Sequence, residues 1–197
     1  MRLFARAPSQ VIAVLALATI LLGGSLPALA ANPISPREAS AEVGGPFTLV
    51  DQYGHTVTDA QFRGKWLLVY FGYTHCPDAC PTALTNMADA LDQIGPSKRQ
   101  KVQAIFITVD PERDTSVVMK DYVGAFEGAD IIGLTGTPEQ IGVAEAAYRI
   151  HARRYDLPGG DYAMSHAATI DIMDPDGHFV AMAYPERIGE RLTQLVP

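Results

Sequence analysis

The chain has 197 residues, 22 acidic against 15 basic side chains, a formal charge of −7 and only two cysteines. So acidic a surface repels phosphate backbones, which argues against nucleic acid and anionic lipid headgroups and leaves small cations and basic protein surfaces as partners. The length suits one domain with a continuous core, and no second domain is needed.

Met1, Arg2 and Arg6 open the chain, no acidic residue precedes Glu38, and Val11 to Leu22 is apolar except for Thr19. With small residues at Ala28 and Ala30, residues 1–30 read as a signal peptide cleaved before Ala31. The apolar stretch is shorter than the roughly 20 residues of a membrane span; an uncleaved anchor is the alternative. Removing residues 1–30, which carry two arginines and no acids, leaves 167 residues and a charge of −9. The folded part is expected to be exported, in the periplasm or on the outer face of the inner membrane, where an unattended cysteine pair closes to a disulfide. Residues 31–46, rich in Ala, Pro, Ser and Gly without an apolar period, read as a flexible tether, and residues 47–197 as the folded domain.

Phe47, Leu49 and Val57 flank Asp51-Gln52-Tyr53-Gly54, a short hairpin turning at the glycine. Trp66 to Tyr73 is continuously apolar, as a strand covered on both faces requires. Pro81 suits a first helical turn, and Leu84, Met87, Ala88, Leu91 and Ile94 recur at helical spacing until Gly95-Pro96 stops them. A second buried strand runs Val102 to Val109, a helix is marked by Val117, Val118, Tyr122 and Phe126, and a short strand covers Ile131 to Leu134. Thr137-Pro138-Glu139-Gln140 opens a further helix with a capping-box pattern. Ala168 to Met173 and His178 to Ala183 bracket the turn sequence Asp174-Pro175-Asp176-Gly177, and a closing helix lies around Glu186 to Leu195. Alternating β and α units followed by a hairpin and a helix predict an α/β, thioredoxin-like fold: a central mixed sheet, flanking helices and a C-terminal β-hairpin plus helix.

The cysteines fall where a strand delivers them to a helix start, in Cys76-Pro77-Asp78-Ala79-Cys80. Free N–H groups and the positive dipole end there favour thiolate over thiol. Pro81 disfavours helical angles at Cys80, so an irregular loop is expected from Cys76 to Cys80. Two intervening residues would be the redox signature; three make a looser chelate, so a metal pair is read first and a redox pair second. A structural disulfide across so small a ring would remove little chain entropy.

Two thiolates suit linear Cu(I), whereas divalent copper or zinc asks for a further donor, usually imidazole. His166 stands immediately before the first strand of the terminal hairpin, on a loop that faces the cysteine-bearing helix start in such a sheet, and is the best candidate. The alternative is a strand-end histidine with a satisfied hydrogen bond. His75 abuts Cys76, but successive side chains of an extended segment point apart. His55, His151 and His178 are assigned no function. Asp78 reads as loop scaffolding ahead of a weak oxygen ligand, Met164 as core filling ahead of a soft ligand, and Asp110-Pro111-Glu112-Arg113-Asp114 as a turn and helix cap at the sheet's carboxyl edge.

The run Phe71-Gly72-Tyr73-Thr74-His75-Cys76-Pro77-Asp78-Ala79-Cys80-Pro81, with Thr108-Val109-Asp110-Pro111-Glu112-Arg113-Asp114-Thr115, His166 and Asp174-Pro175-Asp176-Gly177, resembles the Sco (SenC) family of thioredoxin-like copper chaperones, over about Phe47 to Val196. The resemblance implies Cys76, Cys80 and His166 as ligands of Cu(I) or Cu(II). It also implies delivery of copper to the dinuclear copper site of cytochrome c oxidase, or reduction of that site's cysteines before loading. The implied partner is the copper-site subunit of the oxidase, with other copper chaperones and thiol reductases as further candidates and membrane proximity through the N-terminal segment. Two features differ from many relatives: Pro158-Gly159-Gly160 precedes the histidine, and the export segment looks cleavable. A metallochaperone without catalytic turnover is therefore the first expectation. A thiol–disulfide oxidoreductase using Cys76 and Cys80 is the second, and a copper or redox sensor the third.

Overall fold

The computed structural model describes residues 43–126 and 128–197. The signal peptide expected over residues 1–30 and the tether up to residue 42 lie outside the described residues. Residues 43–46, expected as the tether's end, are docked: the Gly44 N–H donates to the Ala147 carbonyl at 2.9 Å, and Val43 packs against the core. One backbone bond and one apolar side chain hold a segment whose sequence shows no apolar period.

The expected N-terminal hairpin is present as β1 (Thr48–Asp51) and β2 (Thr56–Thr58). There follow β3 (Trp66–Gly72), α1 (Ala79–Gln93), a single turn α2 (Pro96–Arg99), β4 (Val102–Thr108), α3 (Ser116–Gly124), β5 (Ile132–Thr135) and α4 (Pro138–Tyr148). Then come β6 (Arg153–Asp156), β7 (Tyr162–Ser165), β8 (Ile170–Met173), β9 (Phe179–Ala183) and α5 (Ile188–Leu195). One mixed sheet has the order β2-β1-β5-β4-β3-β8-β9, and β6 and β7 form a separate two-stranded sheet. This is the thioredoxin-like arrangement expected of the chain, with the β6–β7 hairpin added. Strong charge and full exposure across Arg153–Asp156 erase the alternation that marks a half-buried strand, which is why that hairpin has no sequence signal.

Local chemistry explains the boundaries. Thr137 and Gln140 close the expected capping box at the start of α4. In the turn before β9, Asp174 Oδ1 accepts the N–H groups of Asp176 and His178 at 3.0 and 2.8 Å, and Gly177 takes φ +81°, a left-handed conformation that costs glycine nothing. Leu84, Met87 and Leu91 of α1 are sealed against the sheet, each worth roughly 2 kcal/mol.

One carboxylate lies inside this core without a cation. Asp171, opposite Val69 and Met182 in the β8 ladders, is 6% exposed, and burial pushes its carboxyl up to about 6. The folded protein therefore keeps this proton to higher pH than the unfolded chain does. Its contribution to stability falls as pH climbs from about 4 to the folded pKa and is level above it. Asp171→Asn is expected to raise the unfolding free energy near neutral pH by on the order of 2 kcal/mol, and to leave it unchanged below about pH 4. Urea titrations at the two pH values check this; an equal gain at both would show that the charge is not the cause.

Candidate metal centre

Seven consecutive parallel pairs, from Trp66↔Val102 to Gly72↔Thr108, bring β3 and β4 to an end side by side. The Val109 N–H donates to the Gly72 carbonyl at 2.7 Å, so the cysteine loop and the Asp110–Asp114 turn leave the sheet together. Asp114, fully buried, then joins them. Its carboxylate accepts the Thr74 N–H at 3.0 Å, the Thr74 hydroxyl at 2.6 Å and the Thr108 hydroxyl at 2.6 Å. The turn also caps a helix as expected, Thr115 Oγ1 accepting the Val118 N–H, but the clamp on Thr74 is what seats the loop. Nothing in the local pattern separates this buried aspartate from exposed turn aspartates.

The loop is shorter than expected. Helix α1 begins at Ala79, so Cys80 lies in its first turn, Pro81 notwithstanding, and the Thr82 N–H already bonds the Asp78 carbonyl at 3.1 Å. A proline in the first turn forfeits no helical bond, because its N–H would have had no partner there. Asp78 is not the scaffold expected of it: it is exposed, makes no side-chain cap, and accepts only the Thr82 hydroxyl at 3.4 Å. The Cys80 N–H donates instead to Cys76 Sγ at 3.3 Å.

Both thiols are free, Cys76 half-buried and Cys80 wholly buried. The Tyr70 hydroxyl donates to Cys80 Sγ at 3.8 Å. Space for that sulfur depends on Gly72, where an added Cβ would lie 2.9 Å from Cys80 Sγ and 2.7 Å from the Phe106 ring.

β8 runs antiparallel to β3 with Ile170 opposite Tyr70, so the residues just before β8 overhang the cysteine loop. His166 Nε2 lies 3.6 Å from Cys80 Sγ. Its Nδ1 is 2.9 Å from the Ala167 carbonyl, which can only accept; in the neutral ring Nδ1 carries the hydrogen and the Nε2 lone pair faces the sulfur. Tyr70 and Tyr73 meet the imidazole edge-on, with ring centroids 6.1 and 5.9 Å away. Burial pushes the Cys80 thiol up to about 12, against a backbone hydrogen bond from Tyr73, and lowers the His166 pKa against its bond to Ala167. The thiolate expected from the helix dipole is thus overruled at Cys80, because desolvation outweighs a terminal dipole.

A tetrahedral ion with sulfur at about 2.3 Å and nitrogen at about 2.0 Å holds those donors about 3.5 Å apart, so Cys80 and His166 already have a chelating separation. Among the described residues the one His/Cys/Asp/Glu trio whose donors all lie within 4.8 Å of one another is Asp174, Asp176 and His178, at the exposed turn before β9. The donors of Cys76, Cys80 and His166 therefore do not all lie within that distance, although Cys76 Sγ keeps contact with the Cys80 N–H. Cys76 borders an open cleft of about 620 Å³ lined by Tyr73, Pro77, Tyr155, Met164 and His166 among others. His75 turns away, bonding Thr74 Oγ1 at 3.1 Å, and His178 faces Asp174 at 3.5 Å.

A sequence profile described as SCO1/SenC matches residues 35–196. The chain belongs to the SCO1/SenC family. It is 40% identical over 145 residues to Protein SCO1 homolog 1, mitochondrial, of Arabidopsis thaliana, covering 74% of this chain and 43% of that protein. The structure of Bradyrhizobium japonicum ScoI with copper bound is 44% identical with a TM-score of 0.71, covering 78% of this chain and 99% of that one. BsSco, a member of the Sco family of cytochrome c oxidase assembly proteins with an identified disulfide switch, shares the fold at 21% identity and a TM-score of 0.58, over 78% of this chain and 95% of its own. The chain spans under half the length of the first curated relatives it matches.

Asp114→Asn leaves three donors facing one carbonyl oxygen and an amide that donates. It is expected to cost about 2 kcal/mol of unfolding free energy and to speed hydrogen exchange at the Thr74 amide, while exchange in the middle of β3 slows or quickens only with global stability. Protection of Thr74 at the wild-type level would refute the clamp.

Proposed function

We propose that this protein is a copper carrier in which Cys76, Cys80 and His166 hold Cu(I) or Cu(II), with no catalytic turnover. The observation that carries the reading is the 3.6 Å approach of His166 Nε2, lone pair inward, to the buried sulfur of Cys80. A buried neutral thiol beside a neutral imidazole is a poor nucleophile and a good trap for a soft cation. The ion replaces the thiol proton and supplies the charge that burial otherwise forbids. Cys76 completes the set by swinging in from the cleft, and the same motion in reverse opens a coordination position to an incoming ligand. A half-buried donor can be exchanged without unmaking the Cys80–His166 pair.

The cargo is supported by the copper held in the similar ScoI structure, and the destination by the family's association with oxidase assembly. We assign the copper-site subunit of cytochrome c oxidase as recipient, and an exported location, periplasmic or on the outer face of the inner membrane, on the N-terminal pattern of Arg2, Arg6 and Val11 to Leu22. Among the described residues no helix is long and apolar enough to cross a membrane.

Anaerobic titration of the reduced protein with copper tests the reading. One equivalent is expected to bind, with thiolate-to-copper absorption in the Cu(II) form. His166→Ala should abolish that band and tight Cu(II) binding while leaving most Cu(I) affinity to the two sulfurs. No saturable binding by the wild type, with disulfide exchange untouched in His166→Ala, would instead make the cysteines a redox pair.

A further inference from the structure

His166 stands one residue beyond β7, on a two-stranded sheet that shares no ladder with the main one. A lone hairpin is marginal in water, so its orientation depends on what ties it to the body. Several ties converge on Tyr162, the first residue of β7. Its hydroxyl donates to Asp110 Oδ1 at 2.8 Å, and its carbonyl accepts from Arg113 Nη1 at 3.1 Å. Two guanidinium groups lie against its ring, Arg113 at 3.6 Å and Arg154 at 3.7 Å from the centroid. Arg113 is in turn fixed by Asp110 Oδ2 at 2.5 Å and by Asp161 at 3.2 Å. Asp110 is 3% exposed, and its N–H is bonded to Thr108 Oγ1 at the rigid end of β4. Arg113 Nη2 is buried with no hydrogen-bond partner, and its guanidinium lies 5.9 Å from the ring of Tyr73, the same ring that meets His166 edge-on. A guanidinium left with an unpaired donor is placed by the stacking and the two carboxylates, not by full pairing of its own groups.

We infer that Tyr162, clasped by Asp110 and Arg113, is a positioning residue that sets the reach of His166 toward Cys80, and so sets whether the copper site proposed above closes with three donors or two. The inference rests on that site. The lever is long: the four steps along the chain from Tyr162 to His166 span about 13 Å when extended, so a swing of about 10° at the clasp carries the imidazole by about 2 Å. That displacement equals a whole metal–nitrogen bond of about 2.0 Å. Cu(I) held by two thiolates is indifferent to it, whereas Cu(II), which needs the imidazole, is not.

Tyr162→Phe, which keeps the stacked ring and removes the hydroxyl, and Arg113→Lys, which removes the planar fork, test this. In the copper-free protein, NMR relaxation is expected to show the amides of residues 163–167 gaining motion in both variants while those of β3 do not change. In titrations, Cu(II) affinity should fall about tenfold, the worth of one lost hydrogen bond, with a weakened thiolate-to-copper band, and Cu(I) affinity should stay within about twofold. Unchanged amide relaxation with unchanged Cu(II) affinity overturns the inference, and so does a parallel loss of Cu(I) and Cu(II) binding. A wild type that binds no copper defeats the carrier reading alone, since the relaxation comparison still decides the clasp.

Discussion

The site exists because β3 is flanked on one side by β4 in parallel and on the other by β8 in antiparallel, each in a single register. Gly72↔Thr108 places the cysteine loop beside the Asp110–Asp114 turn, and Tyr70↔Ile170 places His166 above both. A slip of one residue in either ladder would turn every β3 or β8 side chain to the opposite face. Leu67 to Phe71 on β3 and Ile105 to Ile107 on β4 are all nearly or fully buried, on both faces of the sheet. A slip would undo the close packing of their unlike side chains, and that cost holds three distant segments of chain at one point.

Burial then decides the chemistry. At a helix start a thiol is usually pushed toward thiolate by the dipole and the free N–H groups, worth under about 1 kcal/mol at an exposed position. Cys80 is enclosed by Gly72, Phe106 and Tyr70, and desolvation is the larger effect. The two cysteines thus play unequal parts: one sulfur is fixed, neutral and paired with an imidazole, the other borders a cleft. Unequal sulfurs suit a chelate that closes and opens from one side.

What could be read from the residues alone was whatever leaves a periodic or punctuating trace. The buried strands announce themselves as apolar runs, α4 by its Thr137–Gln140 box, and the last hairpin by Asp174-Pro175-Asp176-Gly177. The meeting of Cys80 and His166, 86 positions apart, followed from strand order once the α/β alternation was recognised. The rest leaves no such trace. The start of α1 at Ala79 reflects tertiary seating of the loop overriding the preference of a pre-proline residue. The burial of Asp114 depends on Thr74, 40 positions earlier, and β6 is charged and exposed along its length, so neither shows in a local window. The helix dipole does not set the state of Cys80, because a sequence marks the end of a helix but not how deeply that end is buried.

The two buried carboxylates of the turn after β4 each serve a segment that carries candidate donors. Asp114 secures the cysteine loop, while Asp110 secures the hairpin through Tyr162 and Arg113. Both belong to one short turn after β4, so the two halves of the donor set are referenced to the same rigid strand end. The buried carboxylates turn to the loops, so the candidate donors are two sulfurs and an imidazole, a soft set that suits copper or zinc better than hard cations.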